Sequence, residues 1–228
     1  MKEAYIRFMA PVHQQSTATL LKILDNKLKE KYERIHLMIS SPGGSVFHGI
    51  SIYNFLKGAP FEVYTHNFGS VDSIGVVVFC AGNKRFSVPH ARFLLHGVSA
   101  HFRGNQSLDE KGLEERLKGL QIDYQNLARL IADTAQKPAD KVQNDMNNRT
   151  TLNPQEAKDY GLVHEIKSEL FPIDADLSVV GEDTPQSQLI TLPGQPLVPG
   201  QQIHVQHMTM PKVEAFTRSA DLDYGTSF

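Results

Sequence analysis

Twice in this chain a strand pattern runs through a glycine turn straight into an apolar helix, and that repeat limits the folds open to it. Arg34-Ile35-His36-Leu37-Met38-Ile39-Ser40 alternates as a buried strand, and Ser41-Pro42-Gly43-Gly44 follows as a turn. Val46, Ile50, Tyr53 and Leu56 then recur at helical spacing. The second unit reads Glu62 to Phe68 as a strand, Gly69 as the turning point, and Ser73 as the start of the apolar run Ile74 to Ala81. With a strand over about Ala4 to Met9 and a helix over Ser16 to Lys31 before them, the alternation calls for parallel strands joined by helical crossovers.

The turns also carry chemistry. Attack on a carbonyl needs a nucleophile, a base, and N–H donors aimed at the oxygen that becomes negative. Pro-Gly-Gly between strand and helix leaves backbone N–H groups uncrowded. Ser73 at a helix start is a candidate nucleophile in the positive end of the dipole, and the Ile74 N–H is a candidate oxyanion donor. His96, in Arg92-Phe93-Leu94-Leu95-His96, is a candidate base. The plain alternatives are an N-capping serine and a satisfied core histidine.

The ordered set Ser-Pro-Gly-Gly-Ser-Val, Gly-x-x-x-Ser-x-Gly, Lys-Arg-Phe-Ser-Val-Pro, Leu-Leu-His and Glu156-Ala157-Lys158-Asp159-Tyr160-Gly161-Leu162-Val163 resembles the proteolytic subunit of the Clp protease. The likeness runs in order from about Ile6 to Ile166. It implies an α/β chain of the Clp/crotonase type, a ββα superhelix with a long handle helix. It further implies a serine endopeptidase with Ser73 as nucleophile, His96 as base, and Gly44 and Ile74 as oxyanion donors. No metal or organic cofactor is implied.

The family places an aspartate behind the histidine, seven residues before Glu156, and here that position is Arg149. A cation cannot orient or stabilise an imidazolium. Asn148, one residue earlier, is able to accept from the imidazole N–H as an asparagine does in papain-like sites, although an ordinary turn residue reads the same way. Asp145 is the charged alternative, one turn too early on a helix from about Ala139. Loss of the anionic partner costs roughly 10⁴ in turnover in trypsin-like triads, so a slow or conditionally active enzyme is expected. Asp72, where the family has a small apolar residue, either acts on the histidine or turns away to hydrogen-bond locally.

A capping box at Ser107-Leu108-Asp109-Glu110 opens a long helix in which Leu113, Leu117, Leu120, Tyr124, Leu127 and Ile131 alternate at spacings of 4 and 3, a seam for a partner helix. By resemblance this helix and a hairpin arm over Ser99 to Arg103 form a handle, with homo-oligomers of heptameric rings stacked in pairs. An ATPase unfoldase is the implied partner. A start next to the first strand counts against that partner, and the chain holds no Gly-x-x-x-x-Gly-Lys, so any ATP dependence is borrowed. Pro154 fits the first turn of a helix that stops before Gly161.

The domain boundary is placed at 169/170. Half of the 12 prolines lie from Pro172 to Pro211, which with Gln-rich pieces marks an extended or disordered C-terminal tail. His204 and His207 lack further ligands and are read as surface residues. A net charge of −2 offers no case for nucleic acid. Cys80 is read as a buried small hydrophobe, and as the one cysteine it leaves no intrachain disulfide to form. Without a signal-peptide core or an apolar run of spanning length, no membrane association and a cytoplasmic address are expected. Two rival readings are a non-catalytic scaffold subunit, supported by Arg149, and a crotonase-type acyl-CoA enzyme, which would not need Ser73 and His96.

Overall fold

The computed structural model describes residues 1–99 and 108–181. The strands are β1 (Glu3–Met9), β2 (Arg34–Ser41), β3 (Glu62–Asp72), β4 (Lys84–Ser87), β5 (Arg92–Leu94), β6 (Thr151–Leu152), β7 (Glu165–Ile166) and β8 (Leu177–Gly181). The helices are α1 (Gln14–Lys29), α2 (Val46–Gly58), α3 (Ile74–Cys80), α4 (Glu110–Ala135), α5 (Ala139–Asn147) and α6 (Pro154–Tyr160). One sheet runs β6-β5-β3-β2-β1-β8, and β4 pairs with both β3 and β7. All pairs are parallel except β5 with β6. Parallel neighbours require crossovers, and α1 and α2 supply them.

Ala4, Ile6 and Phe8 of β1, Ile35, Leu37 and Ile39 of β2, Leu20 and Leu24 of α1, and all of α3 from Ile74 to Cys80 join one core. The alternation puts every second strand residue under the helices. On α2 the buried stripe is Gly49, Ile52 and Leu56, with Val46, Ile50 and Tyr53 partly buried beside it. Its register is thus rotated from the sequence expectation. The predicted turn at Gly69 is also corrected: β3 continues through it to Asp72. The first half of β3, Tyr64 to Asn67, pairs with β4, while Ser70 to Asp72 pair with β5. This hand-over aims the end of β3 at the strand that leads to His96.

Arg85, from the Lys-Arg-Phe-Ser-Val-Pro segment, is buried. Its guanidinium donates to the carbonyls of Gly82, Leu162, Gly161 and Thr134. These lie at the C-terminal ends of α3, α6 and α4, where the partial negative charge of the helix dipoles stands in for a carboxylate.

The other sheet face carries a polar row. Tyr5, His36, Tyr64 and Lys84 are in register across β1 to β4. His36 Nδ1 lies 3.0 Å from His66 Nε2, and His36 Nε2 lies 3.3 Å from Glu3 Oε2. His66 Nδ1 is buried with no partner among the described residues. Burial first, then the neighbouring His36 and Lys167, pushes the His66 pKa down to about 3, and burial likewise lowers that of His36. Below pH 6.5 the unfolded chain binds a proton that folded His66 refuses, so stability falls as pH drops from 6.5 towards 3. The expected slope from His66 is about 1.4 kcal/mol per pH unit. Urea midpoints across this range should show it, and His66→Gln should flatten it; an unchanged slope in that variant would assign the acid sensitivity elsewhere.

Asp109, not Ser107, caps α4, its carboxylate accepting from Gly112 N–H at 2.9 Å. Ser107 and most of the predicted arm lie outside the described residues, as do His204 and His207. The heptad seam divides: Leu127 and Ile131 are core, whereas Leu113 and Leu117 are 53% and 57% exposed. α5 and α6 form where expected. α6 carries Pro154 in its first turn, with a capping box between Asn153 and Glu156. Within the stretch read as a tail, β8 adds to the edge of the sheet beside β1. Asp176 holds it there through Lys27 and Tyr32. No helix among the described residues is long and apolar enough to cross a membrane, and no three His, Cys, Asp or Glu side chains there are grouped to hold a metal.

Candidate active site

Ser73 occupies the sharp corner between β3 and α3, with φ 59° and ψ −128°. L-residues rarely adopt this conformation, and it persists only where the surroundings enforce it. A capping serine would be extended and would accept from the first turn. Ser73 is not extended and makes no side-chain cap bond. Its own N–H is tied to Leu94 O at 2.8 Å, so the corner is pinned to β5 while the half-buried hydroxyl has no hydrogen-bond partner among the described residues.

The Pro42-Gly43-Gly44 turn abuts this corner. A Cβ on Gly43 would lie 2.5 Å from Ser73 Cβ and 3.2 Å from its Oγ, and Gly43 has φ 88°. Only glycine satisfies both conditions. Val12 N–H donates to Gly43 O at 2.7 Å, and Ser45 N–H donates to Val12 O at 2.8 Å. Because C=O and N–H of one trans peptide point in opposite directions, the Gly44 N–H faces away from Val12 and donates to nothing among the described residues. Ile74 is the first residue of α3, so its N–H has no partner within the helix.

His96 lies two residues beyond Leu94, which is paired with Asp72. Its Nδ1 is 2.7 Å from Gly97 O. A carbonyl oxygen only accepts, so Nδ1 carries a proton, and in the neutral ring the lone pair a general base needs is then on Nε2. Among the described residues the Ser73 hydroxyl and the imidazole share no hydrogen bond, a separation that unliganded sites often close on binding substrate.

No hydrogen bond joins the Asn148 side chain to His96 among the described residues. Asn148 closes α5 as its C-cap and is exposed. Asp145 is buried and occupied, one carboxylate oxygen with Lys141 and the other accepting from Tyr160 O–H at 2.7 Å. Leu95 N–H donates to Thr150 O at 2.9 Å, one step beyond the pairs Phe93 with Leu152 and Leu94 with Thr151, and the ladder ends there because Thr150 N–H turns to Asp145 O and Arg149 N–H to Met146 O. Asp72 turns away from the histidine to accept from Ser70 O–H at 2.8 Å and from Arg92 at 2.9 Å. Sequence reasoning missed the Gly97 carbonyl, and no side-chain signal announces it.

Residues 1–169 match the profile of the Clp protease family, described as Clp protease. The chain belongs to that family. Among its relatives, ATP-dependent Clp protease proteolytic subunit 2 of Corynebacterium glutamicum is 33% identical over 134 residues, 58% of this chain and 65% of the relative. Subunit 3 of Rhodococcus jostii is 35% identical over 141 residues, 61% of this chain and 68% of the relative. An Asn-to-Asp variant of ClpP1 from Listeria monocytogenes superposes with a TM-score of 0.66 at 25% identity, covering 72% of this chain and 91% of that one. The Clp family match contains every candidate site residue named above, while β8 lies beyond it.

Proposed function

We propose that this chain is a serine endopeptidase of the Clp protease family, acting on unfolded or short peptides inside a self-compartmentalised homo-oligomer. The observation that carries the reading is Ser73, held with positive φ and without a side-chain cap bond, against Gly43 and directly before the Ile74 N–H. In the reaction His96 Nε2 takes the Ser73 proton as Oγ attacks the peptide carbonyl. The Gly44 and Ile74 N–H groups hold the oxyanion, and His96 passes the proton to the leaving amine. Water then attacks the acyl-enzyme by the same steps in reverse roles. The neutral Gly97 carbonyl orients His96 without the charge that would stabilise an imidazolium, which supports a slow enzyme.

Leu113 and Leu117, one turn apart on α4, leave an exposed apolar pair on one face, which supports a helix-mediated contact between copies. Ring size is left to the family pattern, and an ATPase would have to come from outside the chain. Arg149 favours the scaffold reading as the second choice. Fluorophosphonate treatment of the wild type, Ser73→Ala and His96→Ala, read by intact mass and peptide mapping, separates the two. Labelling at Ser73 that requires His96 is expected; no labelling in any oligomeric state would make the chain a scaffold.

A further inference from the structure

A cavity of about 320 Å³ opens beside the candidate active site, bordered by Met9, Ser40, Pro42, Ser70, Asp72 and Arg92. Its size is at the lower end of ligand pockets, which span about 300–1,000 Å³. Its two key borders each lie next to the machinery proposed above. Pro42 precedes the Gly43-Gly44 turn, and Asp72 precedes Ser73. An extended peptide advances about 3.3 Å per residue, the scale on which Pro42 and Asp72 adjoin the Gly43-Gly44 turn and Ser73.

The polar groups at the cavity are unequally committed. Asp72, with its side chain only 10% exposed, accepts from Ser70 O–H through Oδ1 and from Arg92 through Oδ2. The Arg92 side chain is 53% exposed and spends one terminal nitrogen on Asp72. Its Nε and other terminal nitrogen donate to nothing among the described residues. Ser40 Oγ accepts from Ser70 N–H at 3.4 Å and keeps its own proton to donate. The cavity therefore offers an excess of donors, led by a guanidinium that its buried carboxylate neighbour holds in place. Planar donors of this kind match a carboxylate, which they engage with two N–H groups.

From this arrangement we infer that the cavity is a specificity subsite for an acidic side chain next to the cleaved bond, with Arg92 as the selecting residue and Asp72 as its anchor. The inference rests on the peptidase reading for the placement of the substrate, but its test does not depend on turnover. Fluorescein-labelled peptide pairs, identical except for Glu or Gln at one position and scanned through the central positions, are titrated against the Ser73→Ala protein by anisotropy. At one position the Glu peptide should bind at least 10-fold more tightly than its Gln twin. Arg92→Met and Arg92→Gln should bring that ratio close to one, while Arg92→Lys keeps part of it. Equal binding of every pair, no binding, or a preference that survives both neutral variants would overturn the assignment. Fluorophosphonate labelling of the wild type runs alongside, so a preference without labelling removes the peptidase reading, and labelling without a preference removes only the subsite.

Discussion

Arg149→Asp is expected to raise activity, by roughly 10²-fold in kcat/KM on a fluorogenic peptide, a part of the roughly 10⁴ that an aspartate partner contributes in trypsin-like triads. Three observations support this direction. The Leu95 N–H to Thr150 O bond joins the two segments one residue short of His96 on one side and of position 149 on the other. Arg149 has φ 53°, a conformation that aspartate tolerates better than most residues, so the substitution adds no backbone strain. The competing acceptor on Nδ1 is the neutral Gly97 carbonyl, which a carboxylate outbids once the ring becomes positive during turnover. Asn148→Asp is the internal comparison. Its side chain sits at the exposed end of α5, and little change is expected there. Kinetics and the fluorophosphonate labelling rate are measured together. A rate in Arg149→Asp equal to or below the wild type would show that the imidazole is served by Gly97 alone.

Gly43→Ala should remove activity, with a fall of at least about 10³ in labelling rate at Ser73, since one misplaced oxyanion donor already costs about 10²–10³. The methyl meets Ser73 Cβ at 2.5 Å and Asp72 O at 2.8 Å, both on the corner that holds the nucleophile. It also demands φ 88° from a residue with a Cβ. Relief requires the turn, the corner, or both to shift, and either movement separates the nucleophile from the Gly44 N–H. Gly58→Ala, where nothing lies within 4 Å of the added carbon, serves as the control and should label at the wild-type rate. Circular dichroism melts distinguish a displaced site from a lost fold. Full labelling of a folded Gly43→Ala would detach this turn from the site.

The features legible in the sequence are those set by local sterics and short-range period. Alternation from Arg34 to Ser40 makes a strand whichever partners it finds, and the pair Gly43-Gly44 announces a turn that no side chain permits. Pro154 and Gly161 mark the two ends of α6 for the same reason. The apolar run after Ser73 had to be buried, and the whole of α3 is. Ser73 and Ile74 were nominated from such signals, while Gly44 and His96 took their roles from the resemblance to the Clp family. What reached further in space did not show. β3 passes through Gly69 because β5 takes over the ladder from β4, a matter of which strand lies alongside. Asp72 turns to Arg92 because the register sets Ser70 beside Arg92, twenty-two positions on, and periodicity within one strand carries no record of that. The seam of α4 reads as uniform, yet only its C-terminal half meets the core. The acceptor for His96 is a backbone carbonyl, which every residue possesses and none advertises. Local covalent geometry and hydrophobic period thus determined the elements and the nominated chemistry, while the pairing of distant strands decided which polar groups face one another.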